Sequence, residues 1–186
     1  AKDSIYSGRA KDARGLNLNI LITQFQQLNK SISDLDQRTL DILSPSNSDD
    51  YFSFPGANLL TIPGVGPKTV AAILSAVGSN GQSFSSSKKI IGHLGFFPQI
   101  FESGETKKQN KISNSGPKYL RCALYLAAVA CLKHNPQLKN LYDKKRSQGK
   151  SSKQALIYVS KKLAQLCLSM LKSGDIYRPE RVFMPV

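Results

Sequence analysis

Seven apolar residues on one seven-residue repeat constrain the fold of this 186-residue chain more than any other feature. Leu18, Leu21, Phe25, Leu28, Ile32, Leu35 and Ile42 follow steps of 3, 4, 3, 4, 3 and 7, and Thr39 fills the seam position between the last two. A strand alternates its faces every second residue and would scatter this set. A helix gathers it into one stripe. Sustained for about three and a half heptads, the stripe predicts the seam of a helical hairpin or a coiled coil, and it suits equally a single amphipathic helix packed on the rest of the chain. Asn29, Lys30, Asp34 and Gln37 supply the polar face. The run Ser44-Pro45-Ser46-Asn47-Ser48-Asp49-Asp50 then breaks any helix. The expected organisation is a helical coiled-coil segment and linker over residues 1–50, followed by a compact domain over residues 51–186.

Charge divides at the same place. Residues 1–50 hold six Lys/Arg and seven Asp/Glu, a net of −1, whereas residues 51–186 hold twenty and five, a net of +15. Fifteen excess positive charges in one domain repel one another unless a polyanion neutralises them, so the expected partner is nucleic acid. No apolar stretch approaches the roughly 18 residues needed to span a bilayer, and the polar start Ala1-Lys2-Asp3 has no signal-peptide core. The chain begins without Met, which reads as a fragment of a longer protein. Three cysteines, Cys122, Cys131 and Cys167, form no CxxC pair and no cluster with histidine. Buried free thiols in a reducing cytoplasm are therefore expected, with neither a disulfide framework nor a bound metal.

The compact domain reads as helices. A small-residue helix spans residues 69–77 and a shorter one 88–94, capped by the serines at 85–87 and closed by Gly95-Phe96-Phe97-Pro98. Leu120, Ala123, Leu124, Ala127 and Cys131 share one face of a helix over 119–134, which Asn135-Pro136 stops. A short helix over 138–145 follows. Leu156, Val159, Leu163, Leu166 and Met170 then mark a long helix that ends at Gly174. Residues 100–118 read as a basic loop and residues 177–186 as an extended tail. No segment reads as a strand. The expected class is all-α, a helical arm or coiled coil followed by a compact helical domain.

Two segments carry candidate chemistry. The first is Ile62-Pro63-Gly64-Val65-Gly66-Pro67-Lys68-Thr69, which resembles a helix-hairpin-helix turn. Gly64 and Gly66 are expected to turn the backbone with positive φ and to let a phosphate approach without a Cβ in the way. Pro67 suits the first turn of a helix whose N-terminal N–H groups and dipole would face the anion. Val65 would plug the turn, and Lys68 and Thr69 would add contacts to the phosphate. Such a turn grips backbone and reads no sequence. A tight helix corner without a ligand has the same residues.

The second segment is the basic loop. Lys107, Lys108, Lys111, Lys118 and Arg121 read as phosphate contacts. Ser103, followed by Gly104, is a candidate nucleophile only if a base or a metal activates it, and no histidine lies near it in sequence. His93 and His134 read as packing or capping residues. Tyr119 and Tyr125 lack the flanking Arg/His set of a tyrosine nucleophile and read as packing or phosphate-contacting residues.

The order of these pieces carries a resemblance. Ile62-Pro63-Gly64-Val65-Gly66, Phe84-Ser85, Leu94-Gly95-Phe96-Phe97-Pro98, Ser103-Gly104, Lys111-Ile112-Ser113, Gly116, Leu120-Arg121 and an alanine-rich helix follow one another as they do in the C-terminal domain of the insertion sequence 110/116/902 family of transposases, which includes pilin-gene-inverting recombinases. The resemblance covers about residues 55–178. It implies a fragment of a DNA transposase or site-specific recombinase, with Ser103 as the nucleophile and the heptad helix as the coiled coil. Family members also have a RuvC-like domain whose acidic residues hold a divalent metal, expected to be Mg2+. This chain has no such carboxylate set, so the fragment alone is expected to be inactive and to hold no cofactor. Some members are guided by an RNA. The implied partners are thus DNA, a guide RNA and further copies of the chain, and no membrane. The alternative is a non-catalytic DNA- or RNA-binding scaffold module.

Overall fold

The computed structural model describes residues 2–43, 56–103, 106–113 and 115–182. These fall into two units, residues 1–41 and 42–186. The linker stretch 44–50 lies outside the described residues.

The first unit is one helix. α1 (Lys2–Leu43) runs for 42 residues, about 63 Å at 1.5 Å per residue. The seven seam residues are each 50–65% exposed. Its polar side chains make only local bonds, such as Thr39 to the Leu35 carbonyl and Gln37 to Asp41. Nothing in the primary pattern stops the helix between its ends. Gly15 is accommodated because a helix interior tolerates an isolated glycine at a cost of about 1 kcal/mol.

The second unit is all-α in class. A 3₁₀ helix (Ala57–Thr61) leads through a turn into α2 (Pro67–Val77), and α3 (Ser87–Leu94) follows. α4 (Lys118–His134), α5 (Pro136–Ser147) and α6 (Ser152–Ser173) complete the body, and a short 3₁₀ turn (Pro179–Val182) lies in the tail. α6 is the central element, packing on α3, α4, α5 and the first 3₁₀ helix. Its inner face (Val159, Leu163, Leu166, Cys167 and Met170) is almost wholly buried. The ends of α6 are set by side chains and backbone. Ser151 and Gln154 form a reciprocal capping box at its start, and Gly174 closes it in the left-handed conformation. Asn135 caps α5, its Oδ1 accepting from the N–H groups of Gln137 and Leu138.

The tail is tied back to the core by buried polar groups. Asn58 Nδ2 donates to the carbonyls of Met170 and Asp175, both at 2.9 Å. The Tyr177 N–H donates to Thr61 Oγ1, and its hydroxyl bonds the Asn135 side chain. The bonds of Asn58 and Thr61 connect residues more than a hundred positions apart, the Tyr177–Asn135 pair spans 42, and the buried amide of Asn58 gains the partners it needs.

Two features differ from the reading of the sequence. Residues expected as a loop contain an antiparallel pair, β1 (Pro98–Ser103) and β2 (Thr106–Ile112). Its second strand, Thr-Lys-Lys-Gln-Asn-Lys-Ile, has no apolar alternation and is defined by its pairing with β1. The hairpin is an appendage to the helical body and leaves the class unchanged. Secondly, Cys122 is exposed, while Cys131 and Cys167 are buried as expected. Burial raises the Cys131 thiol to about 11 and pushes Cys167 higher still.

Candidate nucleic-acid interface

The turn before α2 is built around one close approach. Gly64 has φ +94°, and a Cβ there would sit 2.8 Å from the Cys131 backbone in α4. Its freedom is therefore used to pack the turn against α4. Gly66 differs from expectation. Its φ is −103°, open to any residue, and a Cβ there would meet nothing within 4 Å. Positive φ is thus needed at Gly64 alone, while the space beside Gly66 is free. Val65 is buried, plugging the turn. Pro67 opens α2 and no side chain caps it. Lys68 is exposed beside this helix start, and Thr69 is half-buried with its N–H on the Gly66 carbonyl.

The hairpin carries the remaining candidates. Ser103 is the last residue of β1 and pairs with Thr106, the first of β2. Lys107 lies opposite Glu102 and Lys108 opposite Phe101. An irregularity between Pro98 and Ile100 shifts the register before Lys111 and Ile112.

The base of the hairpin is tightly fixed. The Ser113 N–H donates to the Phe97 carbonyl at 2.9 Å. Gly116 is pressed against α3: a Cβ there would overlap the His93 carbonyl oxygen. Arg121 donates from one guanidinium nitrogen to the carbonyls of Gly116 and Leu94. That charge therefore braces the strand exit against the end of α3, a role its sequence position did not suggest. His93 packs its ring against Phe84, with centroids 5.1 Å apart. Lys118, exposed, begins α4.

α4 relates the two segments. Gly64 abuts its residues 130–131, and the hairpin leads into its first residue, Lys118. Twelve or so residues of helix separate those points by roughly 18 Å. The turn and the base of the serine-bearing hairpin thus lie at opposite ends of one rigid rod.

Beside the hairpin base lies an open pocket of about 350 Å³. Phe96, Tyr125 and Ile157 provide apolar wall, and the exposed Lys118, Lys153 and Cys122 also line it. On the neighbouring surface the Tyr158 ring is flanked by two ammonium groups, Lys145 at 4.8 Å and Lys161 at 5.2 Å. None of the α6 residues entered the sequence reading of the site. The usable signal was Ile157, an apolar residue between Lys153 and Lys161 on the otherwise polar face of α6.

Among the described residues no group of three or more His, Cys, Asp or Glu could hold a metal ion, and no helix is long and apolar enough to cross a membrane. A divalent ion is therefore not matched by a ligand set in the described part of this chain.

Residues 56–143, which contain the turn, the hairpin and α4, match the family described as Transposase IS116/IS110/IS902 family. Through this domain the chain belongs to that family. The pilin gene-inverting protein of Moraxella lacunata is 31% identical over 146 residues, 77% of this chain and 44% of that protein. An insertion element IS110 uncharacterized 43.6 kDa protein of Streptomyces coelicolor is 31% identical over 119 residues, 64% of this chain and 29% of that protein. An insertion element IS900 uncharacterized 42 kDa protein of Mycobacterium paratuberculosis is 28% identical over 121 residues. The chain thus spans less than half the length of these relatives. The match covers the order Ile62–Gly66, Ser103-Gly104 and Leu120-Arg121 on which the family resemblance rests.

Proposed function

We propose that this chain is the part of a DNA transposase or site-specific recombinase that grips DNA backbone and supplies the serine for strand exchange. The observation that carries the reading is the position of Ser103 at the end of a β-strand, with Lys107, Lys108 and Lys111 on the return strand, inside the family-matched segment. The name of the Moraxella relative, a gene-inverting protein, favours DNA rearrangement.

In this reading the Gly64–Thr69 turn holds duplex backbone through the start of α2 and Lys68. Lys107, Lys108, Lys111 and Lys118 hold phosphates near the exchange point, and Arg121 contributes mainly by bracing. Ser103 Oγ attacks a phosphodiester, forming a P–O bond as the bond to a deoxyribose oxygen breaks. The serine proton passes to a base and the leaving oxygen ends as a free hydroxyl. The diester bond is conserved as phosphoserine and reverses onto a new strand. Activation of a hydroxyl requires a base or a metal. A divalent ion held by residues outside the described chain is the proposed source, and a guide RNA is a further candidate partner. The roughly 18 Å between turn and hairpin base suits one duplex contacted at two places.

We also propose that α1 pairs with a second copy. Its seven-membered apolar stripe is exposed along the helix, which in water is stable only when covered.

The test joins the chain to the remaining length its relatives possess and assays recombination. Ser103→Ala is expected to lower the rate by roughly 10³-fold or more while duplex binding persists. A nicked substrate should trap the parent as a covalent DNA adduct that the variant never forms. Undiminished recombination by Ser103→Ala rules out the nucleophile and favours a scaffold role.

A further inference from the structure

Between Glu105 and Asp175 the sequence has fifteen Lys/Arg and a single acid, Asp143. Much of that charge lies away from both the turn and the hairpin, on α5 and α6. Lys153, Ile157 and Lys161 are spaced four apart on α6, so they form one ridge with neighbours about 6 Å apart. The first two line the pocket beside the hairpin base, and the third reaches over the Tyr158 ring. Lys145 approaches the same ring from α5. Each ammonium is attracted to the face of the ring, but two like charges gathered at one ring repel each other. Burial lowers the Lys161 pKa, so this group is already partly desolvated. An anion with a stacking face would offset both the repulsion and the desolvation.

We propose that this ridge and pocket bind a single-stranded nucleic acid, with an unpaired base against Tyr125 and Ile157 and the flanking phosphates on Lys118, Lys153 and Lys161. The pocket volume of about 350 Å³ admits one base with part of its sugar. Tyr158 offers a second stacking face further along the ridge, 38% exposed. Cationic groove and interleaved aromatic rings are what a strand needs when its bases are not paired. A duplex keeps its bases stacked inside and presents nothing to an apolar pocket. The surface is thus distinct in ligand from the turn at Gly64–Thr69. The inference rests on the nucleic-acid reading above and shares only Lys118 with it.

Cys122 provides the test, because it lines the pocket and is exposed while Cys131 and Cys167 are buried. Alkylation of the native chain by a maleimide should therefore report on the pocket alone. A saturating oligothymidylate of about twelve nucleotides is expected to slow Cys122 alkylation about ten-fold. Lys153→Ser with Tyr158→Leu should weaken oligothymidylate binding about ten-fold and lower its salt slope by about 0.7, leaving duplex binding within two-fold. An oligouridylate of the same length shows whether ribose is accepted, and protection by either strand upholds the site. The proposal is overturned if neither strand protects Cys122, or if polyglutamate protects it equally at the same ionic strength. It is also overturned if the double variant binds single strands as the parent does. Failure of the duplex reading looks different: Lys68→Ser would then leave duplex affinity unchanged while Cys122 protection persists.

Discussion

Gly64 and Gly66 stand two residues apart in the same turn and do different work. Gly64 is held at positive φ against the α4 backbone, so Gly64→Ala must strain the backbone or move α4. It should destabilise the second unit by about 2 kcal/mol or more, read by urea unfolding. Gly66 has an ordinary backbone conformation and open space around it. Gly66→Ala should cost only about 0.5–1 kcal/mol, the difference between glycine and alanine as a helix N-cap. If the turn grips a phosphate, that methyl group occupies the anion's place, and duplex affinity should fall about ten-fold in a titration of the folded variant. Unchanged affinity would remove Gly66 from the interface. Arg121 illustrates a related point. A cation in a basic stretch reads as a phosphate ligand, and one nitrogen of its guanidinium also donates to two backbone carbonyls.

At the scale of elements, periodicity was legible where packing depends on it. The inner faces of α4 and α6 are set by which residues avoid water, the stripe of α1 has helical spacing on an exposed face, and all three helices are present. Because the α1 stripe is exposed, self-association should depend on it. Phe25→Ser with Leu28→Ser is expected to convert an associated species to monomer in light scattering, without changing the unfolding of the second unit. A parent chain that is monomeric at high concentration would refute the pairing. The β-hairpin was not legible for the opposite reason. β2 is polar except for its last residue, Ile112, and it is held by backbone pairing, by the Ser113–Phe97 bond and by the fit of Gly116 against His93. None of these leaves an alternating apolar pattern for a reader of the sequence to find.

At the scale of the molecule, α6 organises the core, and two thiols are enclosed with it. Burial raises Cys131 from 9.0 to about 11, so the folded state holds that proton more tightly than the unfolded chain. Its contribution is complete below pH 9 and is lost as pH rises from 9 through about 11. The loss is on the order of 2 kcal/mol. Stability of the parent should therefore fall more steeply across that window than stability of Cys131→Ala, measured by denaturant unfolding at successive pH values. Equal slopes would show that the thiol ionises as freely in the folded state as in the unfolded one. The same enclosure makes Cys122 a selective probe, an asymmetry that three similar-looking helical cysteines did not reveal.

The sequence by itself determined the long amphipathic helix, the helical class of the second unit, the cationic excess after residue 50 and the ordered motifs that identify the family. Each depends on composition or short-range spacing, which one chain position after another can express. Only the tertiary structure decided that Gly64 serves α4, that Arg121 braces the hairpin, that turn and hairpin base occupy opposite ends of α4, and that Tyr125, Ile157 and Tyr158 share a cationic surface. Most of these relations join residues tens of positions apart, such as Gly64 with Cys131, Leu94 with Arg121 and Tyr125 with Ile157. They arise from how helices pack, and packing fills space without regard to order along the chain.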